Sequence, residues 1–113
     1  LDAYNANPSS MTVAIENFAQ LNDKNKILFL GDMFELGNES DSEHQNIIDL
    51  AQKLNLKTFF IGKHFFKNKN EKSLFFESYE SLSEYITTNP IVEKTILIKG
   101  SRGMALEKIL NHI

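Results

Sequence analysis

The chain has 113 residues, a net charge of −3 and an apolar fraction of 42%, enough for one domain, 1–113, with a single core. The slightly negative balance and the lack of a basic stripe argue against nucleic acid as a partner, and no apolar run is long enough to cross a membrane. There is no cysteine, which excludes disulfides, thiolate metal sites and cysteine nucleophiles and fits a cytoplasmic location.

The chain opens abruptly at Leu1, with Leu1-Asp2-Ala3-Tyr4 reading as the end of a strand whose beginning lies elsewhere, so a piece of a longer protein is expected. Asn5-Ala6-Asn7-Pro8 then turns into a helix, with Asn7 as its N-cap and Pro8 at the first helical position, where the missing N–H costs nothing. Met11, Ala14, Ile15 and Phe18 recur at helical spacing and give that helix one apolar face.

The run Ile27-Leu28-Phe29-Leu30 is apolar throughout, where a half-exposed strand would alternate, so it reads as a strand covered on both faces. It exits at Gly31 into Asp32-Met33-Phe34-Glu35-Leu36-Gly37. Ser40 or Asp41 is expected to cap the next helix, with Glu43 completing a capping box on Ser40. The buried face of that helix is Ile47, Leu50, Ala51 and Leu54.

A second strand covers 58–61 and ends at Gly62; a basic segment with a short helical turn follows, then a short strand over 73–76. Tyr79, Leu82 and Ile86 mark a helix stopped at Asn89-Pro90. Thr95-Ile96-Leu97-Ile98 is another continuously apolar strand, and Leu106, Ile109, Leu110 and Ile113 line a last helix. Alternating strands and helices predict an α/β fold, a three-layer α/β/α Rossmann-like domain with a mostly parallel sheet. The strands at 27–30 and 95–98 are expected to lie centrally and side by side.

In such sheets, ligands bind outside the carboxyl ends of the strands. Lys99-Gly100-Ser101-Arg102 leaves one central strand and offers two cations, a hydroxyl and helix-start N–H groups, a set suited to a carboxylate or phosphate; the plain alternative is a glycine turn with two solvated cations. Asp32 and Glu35 leave the other. They suit an ammonium group or the outer shell of a metal ion, while Asp32 equally suits a loop cap on local N–H groups. Asp2 suits a sugar diol, and Asn5 and Asn7 offer both donors and acceptors. His44 reads as a surface or packing residue rather than a base, and His64 and His112 have no neighbours at ligand spacing, so no metal centre is expected. The phenylalanine pairs at 59–60, 65–66 and 75–76 read as packing residues. Neither phosphate-binding glycine signature is present.

Taken together, Asp2-Ala3-Tyr4-Asn5-Ala6-Asn7-Pro8, Gly31-Asp32-Met33-Phe34-Glu35-Leu36-Gly37 with His44 after it, and Lys99-Gly100-Ser101-Arg102 resemble the C-terminal domain of the Mur ligases, in the branch that adds D-Ala-D-Ala. The motifs stand in the family's order, and the resemblance covers nearly the whole chain. It implies a three-domain parent in which an N-terminal domain holds the UDP-linked substrate and a central domain carries the ATP site with its Mg2+. The implied reaction passes the γ-phosphate of ATP to the carboxylate of UDP-MurNAc-tripeptide, and the amine of D-Ala-D-Ala then attacks that acyl phosphate.

By the same resemblance Asp2 contacts the ATP ribose, and Tyr4, Asn5 and Asn7 line that side of the interdomain cleft. The resemblance implies a cleft-facing cluster of Lys99, Ser101 and Arg102 for the dipeptide carboxylate or the phosphates, and puts Asp32 and Glu35 on the family's acidic loop, where their charge, rather than the motif, suits them to orient the dipeptide ammonium. Leu1 stands where many relatives carry a second acidic residue. The chain alone is expected to be inactive. Two other readings stay open, a free-standing Rossmann-like binding or receiver-type module using Asp32 and a purely structural interaction domain.

Overall fold

The computed structural model describes residues 6–92, 94–100, 108 and 109. Four strands form one sheet: β1 (Lys26–Gly31), β2 (Lys57–Ile61), β3 (Leu74–Phe76) and β4 (Thr95–Lys99), in the order β3-β2-β1-β4. All three pairings are parallel. Helix α1 (Pro8–Ala19) precedes β1, and α2 (Ser40–Lys53), α3 (Lys63–Lys67) and α4 (Tyr79–Thr88) connect the successive strands.

Side chains of a strand alternate between faces, and here each face has its own core. Leu28 and Leu30 of β1 and Phe60 of β2 pack with Met11, Ile15 and Phe18 of α1 and Ile47, Ile48 and Ala51 of α2. Ile27, Phe29, Phe59 and Ile61 point the other way, onto Leu82 and Ile86 of α4, and Ile109 joins them. The expected three layers are therefore present. The phenylalanine pair at 59–60 is split by the sheet: Phe59 lies 4.8 Å from Phe29, and Phe60 lies 4.9 Å from both Phe65 and Phe75.

Helix α1 starts as its sequence dictates. The Asn7 side chain accepts from the Ser10 N–H at 2.9 Å, the Ser10 hydroxyl accepts from the Asn7 N–H at 3.1 Å, and Pro8 follows the cap. At its other end, the Lys26 ammonium reaches back and donates to the carbonyls of Phe18, Ala19 and Leu21 at 2.8–3.1 Å. A cation there satisfies the orphan carbonyls and opposes the negative end of the helix dipole. Lys26→Met is expected to lower stability by about 1–2 kcal/mol, read from the shift in a urea unfolding midpoint.

Two expectations are corrected. The capping box at Ser40 does not form: a 3₁₀ turn (Gly37–Glu39) feeds straight into α2, Ser40 is already helical at φ −55°, and Glu39 takes the cap position with no side-chain cap bond. Strand β4 does neighbour β1, but it lies at the edge of the sheet among the described residues, and Thr95, Ile96 and Leu97 are only half-buried. An apolar run marks a strand that wants cover, and pairing alone decides which strand is central. The last helix and the strand at 1–4 lie outside the described residues, apart from Lys108 and the buried Ile109.

Candidate functional site

The chain runs outward from β1 to β2 and β3, then returns to place β4 on the other side of β1. The order therefore reverses at β1, and ligand crevices form where that happens, outside the carboxyl ends of the strands. Leu30 is paired with Lys99 in a parallel register, so Asp32 and Lys99 leave the sheet at the same end, as expected.

Asp32 is buried, and its carboxylate is occupied by backbone. One oxygen accepts from the His64 N–H at 2.9 Å and the other from the Phe65 N–H at 3.0 Å. These are free N–H groups at the start of α3, whose own cap position, Gly62, has no side chain to serve them. Asp32 is thus the N-cap of a helix 31 residues further along the chain. The cap reading of the sequence holds in kind but not in place, because the N–H groups are remote rather than local. Gly62 sits at φ +125°, and a Cβ there would stand 2.3–2.5 Å from the Asp32 carboxylate atoms.

His44 completes the arrangement from α2, fully buried. Its Nδ1 lies 2.7 Å from the Ser40 carbonyl, which only accepts, so Nδ1 carries the proton. Its Nε2 then accepts from the Met33 N–H at 3.0 Å and lies 3.8 Å from Asp32. Burial pushes the His44 imidazole below its usual range, against the opposing pull of the Ser40 carbonyl and the Asp32 carboxylate. The ring stacks on His64 at 5.1 Å and meets Phe65 edge-on at 4.7 Å. Between the two fixed ends of the turn, Glu35 is exposed and held at φ +64°, a strained conformation for a residue with a Cβ.

A groove of about 510 Å³ opens beside this knot. Asp32 and Phe34 line it from the β1 turn, Lys63 and His64 from α3, and Glu77 and Tyr79 from the β3 exit. Burial and the adjacent Glu80 raise the Tyr79 phenol, keeping it protonated at neutral pH. The groove thus mixes cations, carboxylates and aromatic surface, which suits a small ligand bearing both charges.

The predicted residues divide. Asp32 lines the groove, and Glu35 is exposed on the same turn. Lys99 ends β4 with 1% of its surface exposed, an interior position where a cleft-facing cation was expected, and it does not line the groove. Asn7 caps α1, beside a shallow depression with Ser9 and Val13. Asp2, Tyr4, Asn5, Ser101 and Arg102 lie outside the described residues. The sequence reading missed Phe34, Lys63, His64 and Tyr79. The signal for three of them was available: the carboxyl-end rule applies to β2 and β3 as well, and these residues follow Ile61 and Phe76.

Residues 1–111 match the family described as Mur ligase, glutamate ligase domain. The chain is 35% identical to the UDP-N-acetylmuramoyl-tripeptide–D-alanyl-D-alanine ligase of Rickettsia prowazekii, over 98% of this chain and 26% of that protein. It is 31% identical to the ligase of the same name from Escherichia coli, over 99% of this chain and 26% of that one. It thus spans about a quarter of the length of these curated relatives. Among solved structures, MurF from Acinetobacter baumannii superposes with a TM-score of 0.76 at 30% identity, covering 96% of this chain and 25% of that one. MurF from Thermotoga maritima, in complex with ADP, shares the fold with a TM-score of 0.77 at 22% identity, over 97% and 26%. A sheet of this order, a carboxyl-end rim built on residues 31–37 and a family match across almost every residue lead to one conclusion: the chain belongs to the glutamate ligase domain family of the Mur ligases.

Proposed function

We propose that this chain is the C-terminal domain of an ATP-dependent ligase that joins D-Ala-D-Ala to UDP-MurNAc-tripeptide in peptidoglycan synthesis, and that it is inactive without the N-terminal and central domains. The observation that carries this reading is the likeness of almost the whole chain, at 35% identity, to a ligase of that name. The rim supports it, since the turns after β1 and β4 leave neighbouring parallel strands at one edge.

ATP and Mg2+ supply activation of the tripeptide carboxylate, and the central domain of such a ligase holds both. The described residues of this chain fit a supporting part in that. Asn7 commits its side-chain oxygen to α1, so its contact with nucleotide runs through the amide nitrogen; Asp2, Tyr4 and Asn5 complete the nucleotide-binding set. Glu35, exposed at the tip of the turn, faces the dipeptide ammonium, with Asp32 holding the turn in place. Ser101 and Arg102 take the dipeptide carboxylate or the phosphates, and the buried Lys99 adds positive charge to that end of the sheet.

The test is a chimera in which this chain replaces the matching quarter of the Rickettsia prowazekii ligase. The chain alone should release no phosphate from ATP with both substrates present, whereas the chimera should do so only when D-Ala-D-Ala is added. Lys99→Ala and Arg102→Ala should each slow the chimera by about 10- to 100-fold, the loss of a hydrogen bond to a charged group for Arg102 and of nearby positive charge for Lys99. Turnover by the chain alone overturns the dependence on other domains. A folded, ATP-binding chimera that makes no amide product overturns the ligase reading, and unchanged kinetics in both variants remove the anion site.

A further inference from the structure

We infer that His44 is a positioning residue for the groove: as a neutral imidazole it ties the turn after β1 to α2 and, through Asp32, to the start of α3, so that protonating it loosens the groove wall. The inference rests on the ligase reading only for its kinetic consequence.

The geometry leaves His44 one working state. Nδ1–H donates to the Ser40 carbonyl at 2.7 Å, and Nε2 receives the Met33 N–H at 3.0 Å. A second proton has to sit on Nε2, where it meets the Met33 N–H donor head-on and leaves that buried N–H without an acceptor. Asp32 precedes Met33, and its carboxylate holds the N–H groups of His64 and Phe65. Movement of the turn therefore reaches Phe34 and His64, whose rings meet edge-on at 6.5 Å and line the same groove.

The charged and titratable groups around the ring come from each packed element. Asp32 lies 3.8 Å away on the β1 turn, and His64 stacks on it from α3. Asp41 of α2 is paired with Lys67 of α3 at 3.0 Å and exerts a weaker pull. Ser40 bridges the two rings, its hydroxyl 3.3 Å from Nδ1 of His44 and 3.4 Å from Nδ1 of His64. The Asp32 carboxylate would welcome the extra charge, yet its oxygens are already engaged by two N–H groups, and burial opposes the cation.

The sign of the linkage follows. With the folded pKa below the unfolded value of about 6.5, the unfolded chain binds the proton first, so the His44 contribution to stability is full above that value and is lost as pH falls toward the folded pKa.

Nitrogen-resolved NMR of the histidines in the full chain tests the tie directly. At pH 8, His44 should be protonated at Nδ1 and bare at Nε2, and it should stay neutral below the normal histidine midpoint. On protonation, the amide signals of Met33, His64 and Phe65 should shift together with one midpoint. Protonation at Nε2 in the neutral form, or a Met33 amide indifferent to the titration, overturns the inference.

In the chimera, the KM for D-Ala-D-Ala should rise at least about threefold as His44 protonates, with the KM for ATP unchanged. His44→Gln, which keeps an acceptor for the Met33 N–H and cannot titrate, should flatten that profile; His44→Phe should raise the KM at every pH. An identical pH profile in wild type and His44→Gln overturns the positioning role. An inactive chimera counts against the ligase reading, and the imidazole spectra then decide the tie by themselves.

Discussion

Gly62→Ala is expected to destabilise the chain by about 4 kcal/mol, a large part of the stability of a small domain. Two costs add. At φ +125° an L side chain is strained by about 1–3 kcal/mol. The new methyl also stands 2.3–2.5 Å from the Asp32 carboxylate, which has to move and release the N–H groups of His64 and Phe65. A urea unfolding curve measures the sum, and a double-mutant cycle separates the parts. In an Asp32→Ala background the clash is gone, so the same glycine substitution should cost only the backbone strain, about 2 kcal/mol. Strict additivity of the two substitutions would show that the carboxylate and the glycine do not press on each other.

Asp32→Ala by itself should cost about 3 kcal/mol. The carboxylate is buried, and removing it orphans two helix-start N–H groups, each worth roughly 1–3 kcal/mol when left without a partner. Asp32→Asn should fall in between, because its one oxygen can serve only one of the two N–H groups. This prediction separates the two readings that the sequence left open for Asp32. If the residue is first a cap, stability falls in both variants, and any effect on the dipeptide KM in the chimera tracks that loss. A KM effect with stability unchanged would make Asp32 a direct partner of the ammonium instead.

Much of the scaffold was legible because it rests on local chemistry. The Asn7-Pro8 start of α1, the four strands and the glycine exits at Gly31 and Gly62 all follow from residue types within a few positions of one another. Long-range ties were not legible. Asp32 caps a helix 31 residues away, and Lys26 closes a helix that precedes it. Neither pairing has a period or a motif. The sequence leaves His44 a surface or a packing residue, and its burial selects the second; which two backbone groups its nitrogens meet has no signal in the sequence. The edge position of β4 among the described residues escaped for a similar reason, since apolarity reports cover on a strand's faces and is silent about its neighbours in the sheet.

The bond between Asp32 and α3 reads amides, not side chains. Phe65 is fixed by the core it fills, but any residue except proline can stand at position 64 without breaking the bond, and position 63 gives no N–H to the Asp32 carboxylate. Two fixed points, a carboxylate at 32 and a bare backbone at 62, therefore leave the adjoining groove wall free to change its chemistry over evolutionary time. A lineage can trade Lys63 or His64 for other side chains, and so retune what the wall greets, while the hinge of the rim is inherited unaltered.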